Sequence, residues 1–445
     1  MACRILSTAL MGIFLVSACS SGPRPEVGLA GTPAMSRAEI RWWEELGDSA
    51  LDGDIKAAFT HNPDLRAVSL RIDRAEAAAS HARAAMLPSL NLGFGYREGR
   101  ARDVDFGPYS LAPWETSTGL SWEVDASGKL RAARRAAQAG TEVAIWNYQS
   151  ARLLLSSRIA ATRLNLYRFN AELALLEESL AANRATLDTL VERSEAGLIA
   201  RSALAKQGAE NEKLNRLQLD LTRLRDLTIV QLRTLRGGTL PGKTARSIFP
   251  RGQGERDRAK PLDQILALHP GILAAGAEVR AAFEIEQAAK LDLLPSFKIE
   301  ALASGATFSL SDRFRTWIAK VGPSLDIPIY DPSRLAVVRS RQAQRQSAAA
   351  GYRSEVLRVL QEIDSARINL RSRHKQLAAA QREVAEIKTT RDFAREQFDA
   401  GITSQIEYLD AERRWLEAKR SAISLEQAAL NARIDLTRAA GGGLF

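Results

Sequence analysis

The chain has 445 residues, a net charge of +10 and a charged fraction of 26%, a composition that indicates a folded protein and excludes a disordered one. Its arginines alternate with acidic residues, as in Arg382-Glu383 and Arg395-Glu396, which is typical of solvated helix faces and argues against a nucleic-acid partner. The two cysteines and four scattered histidines show no metal-ligand or catalytic spacing, so we expect no metal, no cofactor and no enzyme activity.

The N-terminus reads as a bacterial lipoprotein signal. Arg4 precedes an apolar run, residues 5–18, which is shorter than the roughly 20 residues of a membrane-spanning helix. The run ends Val-Ser-Ala-Cys and resembles a lipobox, so we predict a signal peptide at 1–18, a lipidated Cys19 and a tether at 19–36. The next residue is serine rather than aspartate, which in such lipoproteins implies the outer membrane. The alternative is an ordinary signal peptide that happens to contain a cysteine.

The rest of the chain contains one pattern twice, with an offset between the copies that drifts only from 207 to 204 residues. Such a duplication predicts a repeated architecture. We expect a first repeat at 37–240, an equatorial linker at 241–268 and a second repeat at 269–445. His61 and His269 are interpreted as equivalent residues at helix starts. The matching landmarks are Pro63 and Pro270, Pro88 and Pro295, Lys129 and Arg334, Tyr148 and Tyr352, and Gly197 and Gly401.

Each copy opens with a helix and two strands. The helix starts at proline and ends at Leu-Pro-Ser, because the residue before a proline is pushed out of helical geometry. Two extended segments follow, with a length near the roughly 9–11 residues of membrane-barrel strands. No later segment has the length of a membrane-spanning helix, so a membrane crossing would have to use these strands. The predicted helices are 63–86 and 270–294, the strands are 89–97, 116–125, 296–304 and 316–327, and the loops between paired strands are 98–115 and 305–315.

A very long helix completes each copy. Over 166–190 its apolar positions alternate at three and four residues, with Asn183 as one polar exception, and the second copy keeps this spacing over 352–398. A period of 3.5 residues is typical of coiled coils, and each helix would reach about 100 Å. We expect the helices to end at Gly197 and Gly401, where glycine adopts a left-handed cap, and a partner helix to return.

The order of helix, strand, strand and long helical hairpin, twice over, resembles TolC-type outer-membrane efflux proteins. The N-terminal segments Trp42-Trp43-Glu44 and Asn62-Pro63-Asp64-Leu65 are similar to the NodT-like lipoprotein branch. The resemblance implies a mainly α-helical chain with a β-barrel part. It implies a homotrimer in which four strands per subunit close a twelve-stranded outer-membrane barrel, continued by a periplasmic coiled-coil tunnel.

The same resemblance implies a function. The chain would be the exit duct of a tripartite efflux pump that passively conducts small molecules from the periplasm to the exterior. Its partners would be a periplasmic adaptor, an inner-membrane pump of the resistance-nodulation-division type and outer-membrane lipid. Two alternatives stay open: the duct of a type I secretion or metal-efflux system with the same fold, and a periplasmic coiled-coil lipoprotein that only tethers envelope layers. The predicted strands distinguish a duct from a tether, because a tethering coiled coil needs no strands.

The candidate site lies just after Gly401. Family members line the tunnel constriction with two acidic residues three apart, and those positions match Glu407 and Asp410. The spacing puts both carboxylates on one helix face, where rings of them would favour cations. The alternative is that acids in a first helical turn only complement the helix dipole.

This chain also departs from the family pattern at the gate. Some members latch the closed tip with an arginine after the glycine and an aspartate in the first hairpin. The nearest positions here are Thr403 and Ser202, which carry no charge, and Phe398 stands where a tyrosine is frequent. We therefore expect closure to depend on coiled-coil packing, with Phe398 as one apolar contact.

Overall fold

A computed structural model describes residues 41–103, 105, 107–197, 199–241, 248–250, 261–309 and 316–442. Cys19, the predicted signal peptide and the predicted tether lie outside the described residues. So does most of the predicted linker, although its C-terminal end, Leu262–Leu268, is a short helix.

A short 3-10 turn, Trp42–Leu46, precedes eight helices and six strands in the described part of the chain. The helices are α1 (Ser49–His61), α2 (Pro63–Ala84), α3 (Lys129–Glu195), α4 (Arg201–Leu235), α5 (Leu262–Leu268), α6 (Pro270–Leu291), α7 (Pro332–Asp399) and α8 (Gln405–Ala439). The strands are β1 (Ser89–Tyr96), β2 (Arg100–Asp103), β3 (Gly107–Ser110), β4 (Trp114–Val124), β5 (Ser296–Thr307) and β6 (Thr316–Asp326).

The duplicated order predicted from the sequence is present, with local differences. Strand β5 continues three residues into the predicted loop 305–315, and β4 starts two residues earlier than predicted. Helices α2 and α6 end two or three residues early, because tight turns, such as Met86 N–H to Arg83 O at 3.2 Å, lead into Leu-Pro-Ser. The predicted loop 98–115 contains the hairpin β2–β3, whose four-residue strands are too short to give a periodic signal. The predicted equivalence of His61 and His269 is wrong, because His61 ends α1 and Asn62 precedes Pro63 as His269 precedes Pro270.

One compact unit comprises Leu70–Trp146 and Leu273–Ser354. Its four-stranded sheet has the order β1-β4-β5-β6, and every neighbouring pair is antiparallel. The central pair, β4 with β5, joins the first repeat to the second. The two halves of the duplication therefore form one continuous sheet.

Helices α3 and α6 are neighbours within this unit. Arg135 pairs with Glu284 at 2.8 Å, and Arg280 pairs with Glu142. Alanines are buried on both helices here, including Ala136 and Ala139 on α3 and Ala277 on α6, and they permit a close approach. At the sheet end of α3, Lys129 Nζ lies 3.1 Å from Asp292. The repeat equivalent of Lys129 is Arg334, which donates to the Asp292 main-chain oxygen at 2.7 Å.

The second unit comprises the described parts of Ser36–Ser69, Asn147–Ile272 and Glu355–Phe445. It holds two apolar clusters. The first packs the N-terminal turn and α1 against α3 and α4 and includes Trp42, Trp43, Ile55, Ile159, Tyr167 and Leu232. The second lies further along the long helices and includes Leu173, Leu176, Leu180, Leu214, Leu221 and Trp415. Most of the predicted coiled-coil leucines of α3 are thus core residues, whereas Leu187 is half-buried.

Among the described residues, no single helix combines the length and hydropathy needed to cross a membrane, and only α5 and α6 taken together meet both criteria.

Candidate functional site at the hairpin turns

Glycines in the left-handed conformation end both long helices, as predicted. Gly197 follows α3 with φ of 72° and Gly401 follows α7 with φ of 74°. After α7, Ile402 N–H donates to the Gln397 oxygen at 2.8 Å, which is the six-to-one bond of a Schellman cap. The chain therefore reverses within a few residues at both positions, and α4 and α8 return.

The start of α8 carries the two predicted acidic residues. Ser404 caps the helix and its hydroxyl accepts from Glu407 N–H at 3.4 Å, an N-cap arrangement that the Ser-Gln-Ile-Glu sequence favours. Glu407 is exposed, and the Thr403 hydroxyl donates to its carboxylate. Thr403 is therefore a direct partner of the predicted constriction residue.

Asp410 has a different environment from Glu407. It forms ion pairs with Arg413 at 2.5 Å and with Arg414 at 2.8 Å, both on its own helix. These cations offset the charge of Asp410 locally, whereas no ion pair of the described residues involves Glu407. The sequence predicted two equivalent acids, and the arginines that distinguish them stand three and four residues away, the spacing of helix neighbours.

Phe398 contacts the same turn through Tyr408. The two rings stack with centroids 5.1 Å apart and planes 11° apart. Tyr408 is buried, and its pKa lies above the ordinary value, mainly because burial disfavours the phenolate and secondarily because Glu412 is near. Phe398 therefore makes an apolar contact with α8, and its role in closure stays a prediction. Ser202, by contrast, is exposed on the first turn of α4, and no hydrogen bond of the described residues joins it to the others.

Sequence reasoning missed a buried amide at this site. Gln207 of α4 is fully buried and donates to the Asn183 side-chain oxygen of α3 at 3.1 Å. Gln405, the first residue of α8, donates to Gln207 Oε1 at 3.1 Å. The sequence did contain a signal for this contact, because Asn183 interrupts the apolar spacing of α3 and a polar residue at a core position indicates a polar partner.

Comparisons with known proteins agree with this architecture. The model of the outer membrane efflux protein family matches residues 55–238 and 262–442. The chain is 29% identical to the pyoverdine export outer membrane protein OpmQ of Pseudomonas aeruginosa, over 96% of this chain and 95% of that protein. It is 27% identical to the cation efflux system protein CusC of Escherichia coli strain K12, over 90% and 88% of the two chains.

The fold is shared with solved channels. The structure of the outer-membrane channel OprN matches with a TM-score of 0.82 at 20% identity and covers 95% of this chain and 98% of that one. The predicted resemblance and the predicted efflux function are thereby confirmed, since the family match spans most of the chain. The protein belongs to the outer membrane efflux protein family and is the outer-membrane duct of an efflux pump, extending into the periplasm.

Proposed function

We propose that three copies of this chain close their sheets into one twelve-stranded barrel across the outer membrane, with the helical hairpins forming a tunnel below it. The observation that carries this proposal is the sheet itself, which has one apolar face and two edge strands that each pair on one side only among the described strands. Both features are costly for a monomer and are resolved by closure.

The apolar face runs in register across all four strands. Leu90 pairs with Leu120, Leu120 with Ala301, and Ala301 with Val321. Successive side chains point to opposite faces, so the alternate residues form one surface. Leu92 is 79% exposed and Val321 is 80% exposed, which suits lipid contact in a barrel.

The opposite face is mostly polar, with Leu302 and Ile318 as apolar exceptions. One row contains Ser89, Ser121, Glu300 and Gly322 in register. Serine and glycine leave room for a wide aqueous bore, and lumen-facing positions of membrane barrels are typically polar. This alternation supports an open barrel, and we propose that selectivity lies at the hairpin turns instead.

Strand direction also supports closure. Because neighbours alternate along the order β1-β4-β5-β6, β6 runs opposite to β1. The β6 of one copy can therefore pair antiparallel with the β1 of the next, and three copies need no extra strand. Detergent-purified protein should have the mass of a trimer by light scattering and form channels in planar bilayers. A stable monomer would contradict the barrel.

The partners follow from the tripartite pump. A duct that ends in the periplasm needs a periplasmic adaptor and an inner-membrane pump, here of the resistance-nodulation-division type, to load it with small molecules. Two relatives that align over nearly their full length are named for pyoverdine export and for cation efflux. Such different cargo supports a passive duct that does not select its substrate.

Lipidation of Cys19 would anchor the N-terminus in the same membrane. Metabolic labelling with palmitate should be lost in Cys19→Ser, while the trimer remains, because the barrel holds the protein in lipid without the acyl chains. Labelling that persists in this variant would contradict the assignment.

Glu407 and Asp410 are proposed to form the cation-favouring constriction, with Glu407 as the larger contributor because Asp410 is paired with arginines. Replacing both by Ala should lower cation selectivity and weaken block by trivalent cations in planar bilayers. Glu407→Ala alone should account for most of the change. Glu417→Ala, an exposed carboxylate further along α8, is the control for loss of one charge. Unchanged selectivity in the double variant would mean that both acids only complement the dipole at the start of α8.

A further inference from the structure

Gln207 occupies a core position of a coiled coil. Helix α4 buries residues at seven-residue intervals, Gln207, Leu214, Leu221 and Thr228. Leu214 and Leu221 pack in the apolar cluster of the long helices, so the heptad position nearest the hairpin turn would ordinarily hold a leucine. A fully buried amide there costs stability unless its donors and acceptor are paired.

The neighbouring asparagine fixes the orientation of this amide. Gln207 Nε2 donates to the Asn183 side-chain oxygen at 3.1 Å and to the Asn183 main-chain oxygen at 3.3 Å. With both donors used inside the first hairpin, the Gln207 carbonyl oxygen faces α8. There it accepts from Gln405 Nε2 at 3.1 Å. Three residues thus link α3, α4 and α8, and we call them the amide cluster.

Apolar packing beside the amide cluster is incomplete. A cavity of about 30 Å³ lies against it, large enough for a water molecule. Its walls include Asn183 and Gln207 from the first hairpin and Tyr408 and Glu412 from α8. Since dispersion contacts are lost across a void, the hydrogen bond between Gln405 and Gln207 carries more of the attachment here than it would in a packed seam.

A second amide pair joins α3 and α8 far from the turns. Gln427 Nε2 donates to Asn165 Oδ1 at 2.8 Å, and Gln427 stands 22 residues beyond Gln405, or about 33 Å along the helix. Buried amides fix the register of paired helices at a cost in stability. The two pairs have the same chemistry, but only the amide cluster includes the first residue of α8, adjacent to Thr403 and Glu407.

From these contacts we infer that the amide cluster is the internal fastening that holds the start of α8 against the first hairpin and keeps the constriction closed. Gln207 and Asn183 act as positioning residues: they touch no permeant and act through Gln405 on the turn that presents Glu407. The inference rests on the proposed gated duct. It supplies an uncharged fastening in a chain whose Thr403 and Ser202 positions carry no charge.

Single-channel recording of the full-length trimer tests the inference. Gln207→Leu removes the acceptor of Gln405 and the donor to Asn183 while keeping a core-compatible side chain. One net hydrogen bond per subunit changes an equilibrium by a factor of about 2 to 13. With three subunits, we expect the open probability to rise at least about tenfold. Gln427→Leu is the matched control and should leave the open probability unchanged, although both variants lose one buried amide pair.

A pH-dependent variant separates fastening from folding. In Gln405→Glu, the protonated acid still donates to Gln207 Oε1, whereas the carboxylate has no donor to offer it. Open probability should therefore match the wild type at low pH and rise as the new carboxyl ionises. Four ionisable residues line the cavity beside the amide cluster: Glu210 of α4 and Tyr408, Glu412 and Arg413 of α8. The wild type is therefore recorded over the same pH range, and any change in its open probability is subtracted.

The outcomes distinguish this inference from the duct itself. Wild-type channels together with a folded Gln207→Leu variant of unchanged open probability would overturn the fastening and leave the duct intact. An equal rise in Gln427→Leu would also overturn it, because the effect would then be loss of packing anywhere along the seam. If no variant conducts, including Gln207→Leu, the gated duct is contradicted. If the leucine variant does not fold, a Gln405→Glu variant whose open probability matches the wild type at every pH would overturn the fastening.

Discussion

The two repeats place equivalent helices in unequal surroundings. Helices α3 and α7 have 67 and 68 residues, and both keep the heptad spacing. Helix α3 buries a long row of leucines in the two apolar clusters, whereas only Val359, Ile363, Ala366 and Ala380 are buried on α7. Large apolar residues such as Leu357 and Ile368 are each 67% exposed. A duplicated sequence pattern therefore specifies the helix, while its neighbours decide how much of it is covered.

The difference identifies the element that depends most on other subunits. Within the protomer, the first repeat packs its hairpin and the N-terminal turn into a core that also takes in residues of α8. Helix α7 uses one face for this core and leaves the rest to solvent or to a partner. In a trimer we expect α7 to gain the most burial on assembly. Changes in the first repeat should therefore affect the stability of each protomer, and equivalent changes in α7 should affect it less.

Removal of a buried cation should have the largest effect. Arg163 and Asp54 are each 1% exposed and lie 3.3 Å apart, and Arg236 also pairs with Asp54 at 2.6 Å. Arg163→Met keeps the aliphatic stem but removes the Arg163 cation from the buried Asp54 carboxylate, while Arg236 remains. Breaking a buried ion pair costs about 3–5 kcal/mol of unfolding free energy. Because Arg236 still pairs with Asp54, we expect a loss near the lower end of that range. Thermal denaturation followed by circular dichroism in detergent measures the loss.

The duplication supplies the control for this substitution. Arg367 is the residue 204 positions later, and it is half-buried with no ion pair among the described residues. Arg367→Met should change the unfolding free energy by only about 0.5 kcal/mol, as surface substitutions usually do. Equal losses in the two variants would contradict the view that the first repeat carries the charged core.

The glycines that end the two hairpins should give an intermediate effect. Gly237 and Gly441 both have φ of 73°, where a side chain costs about 1–2 kcal/mol. A Cβ on Gly237 would lie 2.2 Å from the His61 main-chain oxygen, whereas one on Gly441 would lie 3.0 Å from Pro270 Cδ. Gly237→Ala should therefore lower the melting temperature more than Gly441→Ala. The reverse order would mean that the first junction relaxes more easily than its contacts suggest.

Sequence patterns predicted the parts of this molecule that repeat. Prolines, glycines and heptads gave the helices and their ends to within a few residues, because these signals act locally. The hairpin β2–β3 escaped notice because its strands are short. The partners of individual site residues also escaped, since the bond between Gln405 and Gln207 joins residues 198 positions apart. Only the spacing of Asn183 indicated that a polar contact lay in that seam.

The ion pairs of Asp410 could have been predicted, because Arg413 and Arg414 are helix neighbours. The burial of Arg163 could not, because charged residues are rarely buried and its partner Asp54 lies on a different helix. Helix α7 illustrates the remaining limit. Its heptad spacing predicted one buried face, and that face is present. The sequence of a repeat cannot show how many other faces of the helix are covered by neighbouring helices.

The smallest expected effect concerns the junctions at Asn62 and His269. Asn62 starts α2 by accepting from Leu65 N–H at 2.9 Å and donates to the Leu235 oxygen at 2.9 Å. His269 holds the same place before α6, is buried, and has no hydrogen bond at Nδ1 among the described residues. Burial lowers its pKa below the ordinary value of 6.5, and the positive charge of Arg358 acts in the same direction, against the opposing carboxylate of Glu355.

The sign of the pH dependence follows from that shift. A histidine whose pKa is lowered by folding stays neutral in the native state, while the unfolded chain takes up the proton first as the pH falls below 6.5. Its contribution to stability is therefore complete above that pH and is lost as the pH falls towards the folded pKa. His269→Asn, which copies the first repeat, should flatten the dependence of the unfolding free energy on pH below about 6.5, by at most about 1.4 kcal/mol per pH unit for each subunit. The melting temperature measured against pH should flatten with it. His61→Asn removes a histidine from the other junction and serves as the matched variant. An unchanged slope in His269→Asn would mean that the second junction does not hold a neutral imidazole, and the two repeats would then differ here only in shape.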